Sequence, residues 1–392
     1  MLSQEIEERL AERFANRINE FNNIILDEIG KNIKAFSRIN ISQARQLQQM
    51  LKYGGSYNEI VKKLSKISGK SIDEIYKMFD EIAKSNKEFA EQFYKYRGID
   101  FIPYSKDIAL QNQVNSLARI TANTFSNISR TSSIGYVLTD LRGNKTFKNI
   151  EQTYADLIDR SVIALAQGKT TFESEMKRTI RELGNGLVVF ESGRTRRLDS
   201  VVRMNIQDSI RQLNIENSMR FGQEYNADGI EISVHTAPAP DHADIQGRQF
   251  TLDEYNKLEA GELAQDVKGN VYDGADKRQI GTLNCYHKTF NIVIGASEPE
   301  YSDKELKKIQ QDNKNGFEFE GNHYTLYEGT QLQRRIETAI RKQKDTKRLA
   351  DASGYDDLVQ ECNSKIKRLT LKYNELCNAS GLKSKKQRMR IY

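Results

Sequence analysis

The sequence predicts a predominantly α-helical protein with a small mixed α/β module near residues 225–325 and a C-terminal helical hairpin or short coiled coil. Three observations lead there. Apolar residues recur every three or four positions through much of the first half of the chain, the one-sided spacing of amphipathic helices. That spacing gives way after Gly229 to short β-branched runs around Pro238 and Pro240. Near the end, Val359, Cys362, Ile366, Leu369, Tyr373 and Leu376 repeat at alternating steps of three and four, the seam of a helix docked on another helix.

In chain order, Ile6, Leu10, Phe14, Ile18, Phe21, Ile25 and Ile29 line one face of a long first helix, and that face needs a partner. Helices are expected next over about 40–51, 57–68 and 72–95, with Gly54, Gly55 and Gly69 as breaks. Ser71 followed by Asp73 and Glu74 resembles a helix start, because a capping oxygen and nearby acids suit the first turn. Pro103 marks a bend within 98–104, and helices near 105–128, 147–166 and 171–183 follow. Gly184, Asn185 and Gly186 read as an interruption, since the strand, third glycine and acidic partner of a dinucleotide fingerprint are missing. Leu198, Val202, Ile206, Ile210 and Leu213 form the strip of a packed core helix, leaving Arg203 and Arg211 for salt bridges or polar partners. Strands are expected at 230–235 and 290–294, then a basic helix carrying Leu332, Ile336 and Ile340.

These elements divide the chain into an N-terminal helical docking region (1–97), a central helical region (98–224), the α/β module (225–325), a C-terminal helical region (326–382) and a basic tail (383–392). The final seam is too short to fix an oligomeric state, so docking within the chain and pairing between copies both stay open.

With 392 residues, 38% hydrophobic and 29% charged, the chain can build substantial cores, which argues against wholesale disorder. Its apolar patches are interrupted before they reach the roughly 20 residues that cross a bilayer. The start lacks a basic region followed by an apolar core, so synthesis in the cytoplasm without a membrane anchor is expected. Cys285, Cys362 and Cys377 are too few and too irregular for a disulfide scaffold. The net charge is +6, yet residues 331–392 hold sixteen Lys or Arg and seven Asp or Glu, a balance of +9 that leaves −3 for the rest. Within that basic end, Lys383, Lys385, Lys386, Arg388 and Arg390 are candidates for weak, sequence-independent contact with DNA or an acidic partner.

All four histidines lie between 235 and 323, and the sharpest chemical constellation is His242, Cys285 and His287, with His235 or Asp241 nearby. On a strand, Cys285 and His287 would point to one face, which opens zinc binding to them. The spacing matches no recognised zinc pattern, however, and a packed, hydrogen-bonded knot is the favoured reading. No cofactor is assigned on these grounds. Cys285 as a nucleophile would need a base in contact and an oxyanion hole. The chain has no glycine-lysine phosphate loop, no His-Glu-x-x-His helix and no compact carboxylate pair, so kinase, NTPase and metalloprotease chemistries are set aside and no catalytic residue is assigned.

Several segments together resemble the minor capsid, or head-morphogenesis, proteins of tailed bacteriophages, especially those of phages and prophages of Gram-positive hosts. They are His235-Thr236-Ala237-Pro238, Asp241-His242-Ala243-Asp244-Ile245-Gln246-Gly247-Arg248 and Gly281-Thr282-Leu283-Asn284-Cys285-Tyr286-His287. Tyr324-Thr325-Leu326-Tyr327-Glu328-Gly329-Thr330-Gln331, Gln333-Arg334-Arg335-Ile336-Glu337 and Ile340-Arg341-Lys342 continue the likeness, which is clearest over residues 195–390. Asp241, His242, Gly247, Arg248, Asn284, Cys285 and His287 are its structural motif. The family's Asn-Cys element often continues as Arg-Cys or Arg-His, whereas Tyr286 precedes His287 here. The resemblance implies a low-copy, non-catalytic protein of the virion capsid near the portal, present in the host cytoplasm during assembly. Its implied partners are the portal protein and other capsid components, with non-specific DNA contact and self-association as further expectations and no membrane role. A metal-dependent nucleic-acid-processing enzyme using His242, Cys285 and His287 is the alternative.

Overall fold

The apolar face of the first helix decides where the centre of the molecule lies. In the computed structural model, which describes residues 4–53, 56–130, 132–139, 143–191 and 194–390, α1 (Gln4–Phe36) buries Phe14, Ile18, Phe21, Ile25 and Ile29, each at most 3% exposed. Its partners are other helices of the same chain, so this face is not open to an external docking partner. Each such side chain contributes roughly 1.5–3 kcal/mol by leaving water.

The helices α2 (Ile41–Tyr53), α3 (Ser56–Arg97) and α4 (Ile108–Ile128) follow. Contrary to expectation, α3 runs straight through Gly69, while Gly54 and Gly55 lie outside the described residues. Gly69 is exposed with open space around it, so it costs only about 1 kcal/mol of helix propensity. Burial of Ile75, Phe79 and Ile82 farther along α3 outweighs that. Ser71 is not a cap either: its Oγ donates to the Ile67 carbonyl at 2.9 Å inside the helix and accepts from Arg17 Nη1 at 3.2 Å. The chain turns after Arg97, and Asp107 caps α4 by accepting from the Leu110 N–H at 3.0 Å.

A four-stranded antiparallel sheet then appears in the region read from sequence as helical. Its strands β1 (Ile134–Thr139), β2 (Lys145–Asn149), β3 (Val188–Glu191) and β4 (Arg194–Arg197) lie in the order β2-β1-β3-β4, with α5 (Ile150–Ala166) and α6 (Lys169–Leu183) between β2 and β3. The helix expected from 147 starts at Ile150 because Asn149 and Gln152 form a reciprocal capping box.

From β4 the chain enters α7 (Leu198–Glu224), which buries the expected strip Leu198, Val202, Ile206, Ile210 and Leu213. Arg203 and Arg211 are buried as well and turn to α1, pairing with Glu12 at 2.7 Å and Glu7 at 3.5 Å.

The α/β module begins with β5 (Gly229–Ile232), β6 (Gln249–Thr251), α8 (Leu252–Glu259), β7 (Leu263–Gln265), β8 (Val271–Asp273) and β9 (Thr289–Ile292). β5 is buried at every position and lies between β6 and β9, with Ile230 opposite both Phe250 and Asn291. Ile230, Ile232, Ile245, Phe250, Leu258, Ile280 and Cys285 form its core, sealed by Ile215 and Met219 of α7. The module closes with α9 (Asp303–Asn315) and the hairpin β10 (Phe317–Phe319) to β11 (Asn322–Tyr324).

Two helices finish the fold: α10 (Leu326–Ser353), opened by a Thr325/Glu328 capping box, and α11 (Asp356–Ser380). Gly354 links them at φ +81°, a left-handed turn that favours glycine. The seam is the inner face of this hairpin. Cys362 joins the main core, with Val359 packed against it, while Tyr373 and Leu376 are fully buried with Ile336, Ile340, Phe317 and Met389, and Leu369 flanks them. Ile366 is half-buried at the edge. α10 also crosses α1, so closely that a side chain on Gly30 would meet the Ala352 methyl at 2.4 Å.

A buried polar network pins these layers together. Asp199 lies 3.2 Å from Arg197 and 3.0 Å from Arg341, and Asp345 accepts from Arg197 at 3.1 Å and from Asn22 at 3.0 Å. Burial pushes the Asp199 carboxyl up, but Arg197 and Arg341 outweigh it and hold the group well below the usual carboxylate range. At Asp345 burial wins, and its pKa rises to about 6. Among the described residues no helix is long and apolar enough to cross a membrane.

Candidate functional site

His242 ends a short turn introduced by Pro240, and Cys285 and His287 lie on the loop leading into β9. That loop is irregular rather than the strand expected, yet it still brings both side chains to one side. Leu283 and Asn284 adopt φ +48° and +64°, uncommon for residues with a Cβ. Asp208 of α7 holds them there, accepting from their N–H groups at 2.8 and 3.1 Å.

The result is a buried cluster in which Cys285 Sγ is 3.3 Å from Nδ1 of His242 and 3.3 Å from Nδ1 of His287. The ligand atoms of the three residues lie within 4.8 Å of one another, so the set can hold a metal ion. His242 Nε2 donates to the Arg278 carbonyl at 2.7 Å. His287 Nε2 is 3.4 Å from Gln246 Oε1, which also accepts the His235 N–H at 3.2 Å. Burial pushes the pKa values of His242 and His287 down and that of the Cys285 thiol up, leaving neutral imidazoles around a protonated thiol. His235 is pushed down to about 4 by burial, and its ring centre is 4.2 Å from that of His287.

The other motif residues have separate tasks. Asp241 forms a two-point ion pair with Arg278 at 2.6 and 3.0 Å, joining the His242 turn to the loop before Cys285. Gly247 and Arg248 serve α9 instead: a side chain on Gly247 would strike Leu306 at 2.4 Å, and Arg248 pairs with Asp303 at 2.5 Å.

His235, His242, Cys285 and His287 line a cleft of about 380 Å³ whose far wall comes from α1, α10 and the C-terminal segment. Tyr286, the departure from the family pattern, joins the loop of Cys285 and His287 to that wall. Its hydroxyl accepts from Arg388 at 3.0 Å and Lys385 at 3.3 Å, and the Arg211 guanidinium sits 4.5 Å from its ring centre. Although burial pushes the phenol's pKa up, Arg388 and Lys385 pull it down further, so the net shift is downward.

Lys385 also pairs with Glu8 at 2.6 Å, and Arg388 is buried with its carbonyl accepting from Arg341 at 2.6 Å. The segment around them is thus a strap bound to α1 and α10. Lys383, Lys386 and Arg390 remain exposed, with Lys383 3.3 Å from Glu5. Glu8, Gln246, Arg278 and Tyr286 were not singled out as site residues from sequence. Gln246 and Tyr286 at least lie inside the motif segments, whereas nothing local marks Glu8.

Burial pushes the Glu8 carboxyl up, yet Lys385 and Arg388 bring it down to about 2. Because the folded pKa is depressed, the strap's attachment is fully present above the unfolded value near 4.5 and is lost as pH falls toward 2. Glu8→Gln is expected to speed backbone hydrogen exchange at 385–389 at neutral pH and to remove the acid dependence below pH 4.5. Unchanged exchange in the variant would show that the ion pair does not hold the strap.

Comparison with known proteins places this geometry. A curated relative, the "Structural protein" of Lactococcus phage LL-H, is 24% identical over 237 residues, 58% of this chain and 58% of that protein, so the chain spans under two thirds of its relative's length. No solved structure matches. Over residues 15–378, reaching well into the N-terminal helices, the sequence matches the family described as phage minor capsid protein 2. The chain therefore belongs to the phage minor capsid protein 2 family, and its general role is structural, in the capsid and head morphogenesis, rather than enzymatic.

Proposed function

We propose that this protein is a minor component of the phage head that associates with the portal and supports head assembly or DNA packaging, entering the virion after assembly in the host cytoplasm. One observation carries the reading beyond family membership. The segments around His235, Cys285 and Tyr327, distant in sequence and each part of the family resemblance, converge on the walls of a single cleft. That convergence supports the cleft as the face a head partner would contact.

Helix faces do not supply that contact, because the α1 face and the α11 seam are closed within the chain. Nor is DNA the favoured partner of the basic end: Lys385 and Arg388 are committed to Glu8 and Tyr286, leaving Lys383, Lys386 and Arg390 at the surface. Localisation by cryo-electron microscopy in intact and DNA-free heads, combined with cross-linking, tests the proposal. Density beside the portal with cross-links from the cleft rim, for example from Lys383, is expected. Exclusion from both head forms with portal absent from every cross-link would overturn it.

A further inference from the structure

We propose that His242 Nδ1, Cys285 Sγ and His287 Nδ1 bind one zinc ion, with a fourth coordination position facing the cleft. The argument begins with hydrogens. A carbonyl oxygen only accepts, so the 2.7 Å contact to Arg278 O requires that His242 carry its proton on Nε2. Gln246 Oε1 is fixed as an acceptor by the His235 backbone N–H, so His287 likewise carries its proton on Nε2, toward that oxygen. Both Nδ1 lone pairs therefore face the same sulfur, each at 3.3 Å.

A thiol has one hydrogen and can satisfy one of them. The other nitrogen is left lone pair against lone pair in a buried place, which is costly. A cation among the three atoms resolves the conflict. Tetrahedral zinc, with bonds of about 2.3 Å to sulfur and about 2.0–2.1 Å to nitrogen, places S and N about 3.5 Å apart. The two observed separations of 3.3 Å need only a small outward shift to reach that figure.

The donor set selects the metal: one sulfur and two imidazoles suit zinc and disfavour magnesium and calcium, which take oxygen. The contacts from Nε2 to Arg278 O and Gln246 Oε1 are the outer partners that orient metal-binding imidazoles. As the zinc–sulfur bond forms, the Cys285 thiol gives up its proton, so each zinc bound releases one proton to solvent. The ion ties the His242 turn to the loop bearing Tyr286, on which the strap rests. His235 is not a ligand in this arrangement: the ligand atoms close enough to share one ion are those of His242, Cys285 and His287.

The test uses the full chain purified without added metal and is independent of any head partner. Elemental analysis is expected to find about one zinc per chain in the wild type and in His235→Ala, and less than about one tenth of that in Cys285→Ser and His242→Ala. Circular dichroism should show the helices of these variants intact, since the main core contains none of the three residues. Cobalt titration of the metal-depleted wild type provides a readout that does not depend on variants folding. Tetrahedral ligand-field bands with a thiolate charge-transfer band are expected. Wild-type protein that carries no zinc as purified and develops no such band overturns the proposal, as does full zinc content in folded Cys285→Ser. Zinc lost on replacing His235 overturns the open fourth position.

Discussion

Asp199→Ala should cost about 3–5 kcal/mol of folding stability, because it leaves two buried guanidinium groups short of their shared carboxylate. Arg197 and Arg341 are 10% and 3% exposed, and Asp199 lies 3.2 and 3.0 Å from them. Asp345 remains beside Arg197, so the loss falls hardest on Arg341. The damage is structural as well as electrostatic, since this network joins α1, β4, α7 and α10. Urea unfolding monitored by circular dichroism measures the effect, and a loss below about 1 kcal/mol would show that water or relaxation compensates the stranded arginines. Asp199→Asn keeps the shape without the charge and should fall between wild type and alanine.

Leu376→Asp is expected to be nearly as severe and more local. Leu376 is fully buried among Phe317, Ile336, Ile340, Tyr373 and Met389, so the change removes a core side chain worth about 2–5 kcal/mol and adds a carboxyl without a partner there. Unpacking should spread from the α10/α11 hairpin to the strap through Met389, leaving the main core folded. Reduced helicity with exchange concentrated at 326–340 and 366–390, the part of the hairpin that packs outside the main core, is the expected signature. Ile366→Asp, at a half-buried position of the same stripe, should change helicity little. Equal effects at the two positions would mean that the stripe faces another molecule rather than the hairpin interior, and sedimentation would then show a dissociating oligomer.

The parts of this fold that sequence made legible are those in which one helix face is decided by its own spacing. Phe14 to Ile29, Leu198 to Leu213 and Val359 to Leu376 could be read as buried stripes because side chains three and four apart share a face whatever lies opposite. What lies opposite was not readable. The α1 face is closed by α7 and α10, and the seam by α10, through contacts that no local pattern encodes. The β2-β1-β3-β4 sheet was missed for a related reason: Lys145–Asn149 and Arg194–Arg197 are short and largely polar, and they become strands only because neighbours supply hydrogen bonds. Gly69 and Ser71 misled in the opposite sense, since tertiary burial of α3 overrode local break and cap signals.

The candidate site divides along the same line. His242, Cys285 and His287 stood out as residue types, and the fold brings them together. Their supports did not stand out, because Glu8 is separated from Lys385 by 377 positions and Asp208 from Leu283 by 75. The segment 383–392 was legible only as charge. Composition cannot distinguish a solvated basic tail from cations already matched to a buried carboxylate and a phenol.

The packing of α1 against α10 also governs how the protein can be made. Phe36 and Leu326 stand 290 positions apart, and ribosomes add about 5–20 residues per second, so roughly 15–60 s pass between synthesis of the first helix and arrival of its last partner. Through that interval α1 holds Phe14, Phe21 and Ile29 without the full cover they have in the finished molecule. The usual order, in which an early segment folds while later ones are translated, does not apply to this helix. A nascent chain halted before α10 therefore leaves part of the apolar face of α1 in water, where it can meet another unfinished chain.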